Sequence, residues 1–545
     1  MHWVTADFET STESWLEIDC EARVWLWDIC DENYYHITGT DIVEFFEYLF
    51  ESSIDYVYFH NIKYDGYYIL NWLLRNGFSE KSKKKNISSI ITESGVWYSI
   101  TVKSKKKKIT FLDSYKKFPI SIEQIAKTYN LPIKKGEIDY NQYRPIGYIP
   151  TIEEIEYINN DTEIAYRALE LSYKINDTAR TSASSAFKDF KSDFEERYFQ
   201  YIMPVLDLTT DDDIRKSYKG GFTYLMPEYK NKVINNVLVL DINSMYPWAM
   251  YNCILPYGVP QYFNGKYEED EKYNLYIQHI KAMFHVKENH IPAIGLKNVF
   301  MFATEYITET EEEIDLFLTK PDLELFFEQY EIEYIEYIDG YKFKGMTGIF
   351  KDFIDRNMKI KKESKGGMRY IAKLRLNSCY GKTALNPRRR TKHCYIADDE
   401  LILENGDEEI KEPIYTACAA FITAYCRKNI IESGQKCYDR IIYFDTDSMH
   451  LNGFEIPEGL FIDDVELGAF KVEEKADRAK YIRPKTYIHE TNGELLIRCA
   501  GMPKECHKYV TFDNFKPGSK YPGKLIGRAV KGGYVLKETT FEIKE

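Results

Sequence analysis

The segment Arg440-Ile-Ile-Tyr-Phe-Asp-Thr-Asp-Ser-Met-His-Leu451 carries Asp445 and Asp447 two residues apart. On a strand, a period of two would put both carboxylates on one side. Neighbouring carboxylates repel each other unless one takes a proton or a divalent cation neutralises both. Hard cations such as Mg²⁺ prefer oxygen ligands, and pairs of them on carboxylates support in-line phosphoryl transfer. A second strand-like run, Val237-Leu-Val-Leu-Asp-Ile-Asn-Ser-Met-Tyr-Pro247, ends in Asp241 and leads into a turn presenting Ser244, Met245 and Tyr246. A strand-end aspartate can hold a metal while the backbone N–H groups beyond it hold phosphate. The ring of Tyr246 has the volume to exclude a ribose 2′-hydroxyl.

A separate acidic set occupies the first third of the chain. Asp7 and Glu9 again stand two apart, and Val57-Tyr-Phe-His-Asn-Ile-Lys-Tyr-Asp-Gly66 delivers His60, Asn61 and Asp65 from a turn. Tyr157 and Asp161 are four apart and so share one helix face. Four carboxylates can hold two divalent ions, and a phenol one helical turn away can orient an attacking water.

The elements that must position these groups are legible. Val4 to Phe8 reads as a buried strand, and Thr151 to Leu171 as a helix opening at Pro150-Thr151 with an acidic first turn. Ile441–Phe444 and Met449–Leu451 read as a hairpin around a polar turn. In Lys216-Ser-Tyr-Lys-Gly-Gly-Phe-Thr-Tyr224, Gly220 and Gly221 allow close backbone approach while Tyr218 and the lysines suit a nucleic-acid strand. Lys359 to Lys382 is expected as one helix, with Lys361, Lys365, Arg369 and Lys373 at four-residue spacing forming a cationic stripe for a triphosphate. Asn377 and Tyr380, three apart at its end, would offer an amide and a flat ring to a base pair. The thiol of Cys379 beside them is expected to make this helix sensitive to oxidation. Asn176 to Arg215 reads as a linker with an entry helix.

At 545 residues the chain exceeds a single core, and 44% hydrophobic with 29% charged residues is ordinary for a soluble multidomain protein. A net charge of -14 argues against indiscriminate nucleic-acid binding. The basic runs Lys81–Lys85, Lys103–Lys108 and Arg388–His393 nevertheless leave room for a basic channel. Ten scattered Cys without a C-x-x-C pair fit a reducing compartment, and no apolar run is long enough to span a bilayer.

The ordered motifs Asp-Phe-Glu-Thr, His-Asn-x-x-x-Asp and Tyr-x-x-x-Asp resemble the 3′→5′ proofreading exonucleases of the DEDD type, in the subclass with Tyr at the last motif. That resemblance implies metal binding by Asp7, Glu9, Asp65 and Asp161, and water positioning by Tyr157. It also implies a hold on the frayed 3′ end by Thr10, His60, Asn61 and Tyr64, and a place near the scissile phosphate for Lys135. Further on, Asp-x-x-Ser-x-Tyr-Pro, Lys-x-x-x-Asn-Ser-x-Tyr-Gly and Tyr-x-Asp-Thr-Asp-Ser resemble motifs A, B and C of family B DNA polymerases. Arg483-Pro-Lys-Thr-Tyr-Ile488 is similar to the Lys-x-Tyr motif that touches the primer, here through Lys485 and Tyr487. Order and spacing are most similar to the protein-primed, phi-29-type phage polymerases, over nearly the whole chain.

The resemblance implies a multidomain α/β fold: an RNase H-like exonuclease domain (1–180) and a right-hand polymerase. The latter would comprise palm (181–250 and 414–500), fingers (349–384) and thumb (501–545), with terminal-protein-region insertions at 251–348 and 385–413. It implies catalysis by Asp241, Asp445 and Asp447, with two Mg²⁺ per active site (Mn²⁺ as an alternative) on Asp241, the Ile242 carbonyl and Asp447. The nucleotide would meet Tyr246, Lys361, Lys373, Asn377 and Tyr380; DNA would meet Tyr218, Gly220, Gly221, Ser244, Gly381, Thr446, Lys485 and Tyr487. Implied partners are template and primer DNA, dNTPs and a terminal protein that primes synthesis, joined to a monomeric polymerase in the cytoplasm of the host bacterium. The competing expectation is a stand-alone exonuclease with a DNA-binding C-terminal region.

Overall fold

The computed structural model describes residues 2–105, 107–140, 142–297 and 304–545; Lys106 of the basic run Lys103–Lys108, and residues 298–303 of the first insertion, lie outside it. Val4, Ala6 and Phe8 alternate with Thr5, Asp7 and Glu9 along the strand Trp3–Thr10. The apolar set joins a core with Phe45, Phe46, Leu70 and Leu73 from the helices Ile42–Glu51 and Lys63–Arg75. The polar set faces the helix Ile152–Lys174, where Thr5 Oγ1 donates to the Thr162 carbonyl at 2.8 Å. That helix starts with a reciprocal capping box between Thr151 and Glu154. The strand belongs to a seven-stranded sheet ordered His36–Gly39, Val24–Cys30, Trp3–Thr10, Tyr56–Phe59, Lys108–Asp113, Trp97–Lys103, Asn86–Ile91. Tyr56–Phe59 runs parallel to both its neighbours, and the other pairings are antiparallel.

A second seven-stranded sheet, antiparallel throughout, has the order Glu494–Cys499, Thr486–Thr491, Phe470–Arg483, Val233–Ile242, Ser448–Asn452, Ile441–Asp445, Thr223–Leu225. Alternation repeats here. Leu238 and Leu240 face the helices Met245–Asn252 and Thr416–Gln435. Val237 and Val239 enter a second cluster with Tyr443, Tyr481 and Tyr487. Between the second sheet's strands Val233–Ile242 and Ile441–Asp445, the chain inserts a four-stranded sheet (Leu255–Asn264, Tyr330–Met346, Leu275–Val286, Ile314–Thr319) whose helix Lys320–Gln329 packs on Thr416–Gln435.

Two expectations are corrected. Lys359 to Lys382 is not one helix: Lys351–Glu363 and Gly366–Thr383 are separate, with Ser364 and Lys365 extended between them. The Gly366-Gly367 pair explains the break. Gly366 has φ +59, and a Cβ on Gly367 would sit 2.5 Å from the Tyr129 ring, so the chain can turn only where side chains are absent. Residues 176–215 are likewise more than a linker with one helix. They form Ser182–Lys191, Glu196–Ile202 and Leu208–Lys216, and Phe190 stacks on Phe350 at 4.2 Å.

Two hairpins far apart in sequence land on the first body. Arg388–Ala397 and Glu400–Ile410 turn through Asp398 and Asp399, both at positive φ, the geometry of a tight hairpin turn. The Glu93 N–H donates to the Arg390 carbonyl (3.1 Å), and Cys394 and Leu401 enter the first body's core. Lys520–Val530 and Gly533–Glu542 form the other hairpin, where the Tyr534 carbonyl accepts from Tyr68 Oη at 2.6 Å. Lys531 Nζ reaches Asp399 Oδ2 at 3.6 Å, so the hairpins also meet each other.

Candidate active sites

Asp241 stands opposite Ser448 on one neighbouring strand and Lys471 on the other. Asp445 closes its strand, but Asp447 is not a strand residue as the period-two reading assumed. Thr446 and Asp447 make the two-residue turn, with Thr446 at φ +69. The turn, not strand alternation, brings the carboxylates together. The Ile242 N–H donates to the Asp447 carbonyl at 2.8 Å and locks the turn to the strand bearing Asp241. Burial, then Asp241 and Asp445, push the Asp447 carboxyl up to about 6. Two ammonium groups partly compensate: Lys471 Nζ lies 2.9 Å from Asp241 Oδ1, and Lys485 Nζ pairs with Asp445.

The glycine pair divides its work. A Cβ on Gly221 would lie 2.6 Å from Thr446 Cγ2 and 2.9 Å from Tyr246 Oη, whereas one on Gly220 would meet nothing. Buried Arg427 holds this loop, donating to the carbonyls of Lys219 and Gly220 at 2.8 Å each, and is itself fixed by both oxygens of Asp322. Gly221→Ala is therefore expected to lower nucleotide incorporation about tenfold or more, the kinetic equivalent of an overpacking strain of ~1–3 kcal/mol. Exonuclease on single strands should be unchanged; incorporation at the unaltered rate would contradict this packing account.

Among the residues expected to meet the nucleotide, Tyr246 stacks on Tyr380 with centroids 4.4 Å apart and planes at 14°. Ser244 adopts φ +51, and Lys361 Nζ lies 3.3 Å from its Oγ. Burial, followed by Lys373, Arg369 and Lys471, holds the Lys361 ammonium below its ordinary value. The cationic group therefore comes from two helices turned against each other, with Arg369 donating to the Lys361 carbonyl at 2.7 Å. Lys365 falls at the bend and is not part of a helical stripe. Lys373, Asn377 and Gly381 are exposed, and a Cβ on Gly381 would meet nothing. Tyr218 is half-buried. Cys379 is fully buried and its thiol is pushed well up by that burial, which removes the expectation of easy oxidation.

Behind the turn lies a hydrogen-bonded series that no sequence motif announced. His489 Nδ1 is 2.8 Å from Glu474, His489 Nε2 is 3.0 Å from Tyr481 Oη, and Tyr481 Oη is 2.9 Å from His450 Nδ1. Tyr487 is buried among these rings rather than presented to a primer, while Lys485, at φ +61, donates its N–H to Tyr443 Oη at 2.8 Å. Tyr487 thus supports the Lys485 turn. The only signal in sequence was the density of Tyr and His around the turn, which is not diagnostic.

In the first body Asp7, Glu9, Asp65 and Asp161 converge. Burial, then Asp161, pushes the Asp7 carboxyl up to about 7. Burial, then Asp7, raises Glu9 and Asp65 well above the carboxylate range. Asp161 is raised by burial although Lys135 pairs with it. The Lys135 ammonium also lies over the Tyr157 ring at 5.1 Å, and Tyr157 Oη shares a 2.6 Å hydrogen bond with Tyr140 Oη. Thr10 Oγ1 and Tyr64 Oη are 2.6 Å apart. Asn61, at φ +71, donates its N–H to Asp113 at 2.9 Å. His60 departs from its expected role. Its nitrogens are taken by Ser114 Oγ (2.9 Å) and the Ile120 carbonyl (2.8 Å), so it holds the loop and leaves no ring nitrogen for DNA.

Both clusters fit hard divalent cations. Asp65 Oδ1 and Asp161 Oδ1 are buried without a hydrogen-bond partner, and burial, followed by mutual repulsion, keeps the proton affinity of Asp7 and Asp65 high. Among the described residues, no group of three or more His, Cys, Asp or Glu side chains is already disposed to hold a metal ion.

The chain matches the family described as DNA polymerase type B, organellar and viral, over residues 47–150 and 150–461. It is 44% identical to the DNA polymerase of Bacillus phage M2 over 573 aligned positions, covering 99% of each chain. Identity to the DNA polymerase of Bacillus phage phi29 is 42%, covering 99% of this chain and 98% of that one. Identity to the DNA polymerase of Streptococcus phage Cp-1 is 34%, covering 100% and 99%. Phi29 DNA polymerase complexed with primer-template DNA and incoming nucleotide substrates superposes with a TM-score of 0.94 at 40% identity over all of both chains. With a fold shared end to end and a family match over most of its length, this chain belongs to the type B DNA polymerases of the organellar and viral family.

Proposed function

We propose that the chain is the DNA-directed DNA polymerase of a phage that copies a linear genome by protein-primed, strand-displacing synthesis and proofreads at a separate 3′→5′ exonuclease site. The observation that carries this is the presence of two acid clusters in one chain, one with Asp447 and the other with Asp7, Glu9, Asp65 and Asp161 raised in proton affinity by burial. One adjoins the Tyr246–Tyr380 stack and the Lys361 ammonium; the other adjoins Lys135 and Tyr157. The relative solved with primer-template DNA and incoming nucleotides supports DNA and dNTPs as partners.

Type B polymerases use divalent metal ions, and Mg²⁺ is the preferred reading here. Asp241, Asp447 and the Ile242 carbonyl would hold two such ions, and Asp7, Glu9, Asp65 and Asp161 two more; when bound, they activate the attacking hydroxyl or water and neutralise phosphate charge. Lys361 and Lys373 clamp the triphosphate. Tyr246, fixed by its stack, walls off a 2′-hydroxyl, and Tyr380 lies under the nascent pair. Lys485 neutralises Asp445 until a primer phosphate competes for its ammonium. At the second site Tyr157, held by Tyr140, orients water, and Lys135 meets the scissile phosphate.

Residues 1–180 then act as the exonuclease domain, 181–250 and 414–500 as palm, 349–384 as fingers and 501–545 as thumb. Residues 251–348 and 385–413 serve as terminal-protein regions, the first docking the priming protein during initiation. The second, by meeting both the thumb hairpin and the exonuclease body, encircles the template. The protein acts as a monomer in the host cytoplasm and pairs with the terminal protein at initiation.

Extension of a primed single-stranded circle with dNTPs and Mg²⁺, without helicase, tests this reading. Products many circle lengths long are expected, and replacing residues 388–410 by a short turn should cut them to about one lap. Primer degradation without any synthesis would instead leave a stand-alone exonuclease.

A further inference from the structure

The helix Gly366–Thr383 has a back as well as a front. At 100° per residue, Lys373 and Asn377 lie about 40° apart, and Arg375 lies about 160° from each. Arg375 is accordingly turned inward, with 13% of its side chain exposed. Its Nη2 donates to Asp177 Oδ2 at 3.2 Å, its Nε to Ser185 Oγ at 3.3 Å, and its Nη1 lies 3.6 Å from Asp189. Asp177 is 5% exposed and follows directly on Ile152–Lys174, the helix that bears Tyr157 and Asp161. It also accepts from Ser185 Oγ and pairs with buried Lys117 at 3.1 Å. Lys117 is bonded in turn to the carbonyls of Asp177 and Ala179. The same anchor takes the other helix of the pair: Asp189 accepts from Asn357 at 2.8 Å and pairs with Arg356 at 3.2 Å.

Single-charge removal from a buried pair leaves an uncompensated charge, so such a contact resists being opened. Here it joins the end of the helix carrying exonuclease residues to the back of the helix carrying nucleotide-binding residues. We propose that Arg375 is a positioning residue which, through Asp177, holds the nucleotide-binding face at a fixed pitch to the exonuclease body. The pair thereby sets both the affinity for the incoming dNTP and the balance between extension and proofreading. This rests on the reading of Lys373, Asn377 and Tyr380 as nucleotide-binding.

The test uses the full chain on primer-template DNA. Arg375→Met is expected to raise the KM for dNTP about fivefold with kcat within about twofold, because the nucleotide face is displaced but intact. The dNTP concentration at which extension overtakes degradation should rise with it, while single-strand exonuclease stays within about twofold. Asp177→Asn, which also takes the partner of Lys117, should raise KM at least as much, and the double variant should be no worse than Asp177→Asn alone, as partners in one interaction require. Arg375→Lys should restore part of the loss. Unchanged KM in both single variants, multiplying effects in the double, or a parallel loss of exonuclease would each overturn the proposal. Lys373→Ala is the reference. If it leaves KM unchanged, the nucleotide-binding reading is what fails; if it raises KM while Arg375→Met does not, the positioning role alone fails.

Discussion

Asp447→Ala is expected to lower nucleotide incorporation by about three orders of magnitude or more while single-strand exonuclease continues at its normal rate. The structure makes this a test of chemistry and not of folding. The Asp447 backbone carbonyl, not its side chain, receives the Ile242 N–H, so the turn survives truncation. Asp241 and Asp445 keep their lysine partners. What disappears is a carboxylate whose burial and acidic neighbours raise its proton affinity, the property that a bound cation would relieve. Single-nucleotide incorporation on a primed template measures the effect. Synthesis at the wild-type rate would remove Asp447 from the site.

The reverse separation is expected for Asp7→Ala combined with Asp65→Ala: single-strand degradation falls about a thousandfold, while polymerisation with matched primers is retained. These acids also predict an effect on stability. Asp7 has a folded-state value of about 7 against 3.8 for an unperturbed carboxyl, and Glu9 and Asp65 are raised as well. Between roughly pH 4 and 7 the folded protein therefore binds more protons than the unfolded chain, so metal-free stability falls as pH rises through that window. Thermal unfolding in chelator should show a decline in Tm from pH 5 to pH 7, smaller in the double variant than in the wild type. Added Mg²⁺ should raise the wild-type Tm most at the high end. A Tm that rises with pH in the wild type but not in the variant would contradict the repulsion account.

Much of the site was legible because its parts are local. Asp7 and Glu9 share one strand face through a period of two, and Tyr157 and Asp161 share a helix face through a spacing of four. Those relations need no tertiary information. The reading failed where a break in regular structure intervened. Asp445 and Asp447 have the spacing of strand neighbours but flank a left-handed Thr446. Lys361 and Lys373 have the spacing of a continuous helix but lie on two helices, since Gly366 and Gly367 let the chain reverse against Tyr129. In both cases the side chains still met, by another route.

By itself the sequence determined the two acid sets, the strands and helices that carry most of them, and the motif order that marks the family. It did so because alternation, capping and turn chemistry act over a few residues. Only the tertiary structure decided which partners those groups have. Lys471 beside Asp241, the His450–Tyr481–His489–Glu474 series, Arg427 on the Gly220 loop and Arg375 on Asp177 join residues from 8 to 230 positions apart. Each is buried or half-buried, where an unpaired polar group is costly. Burial depends on packing between elements, and no local pattern encodes it.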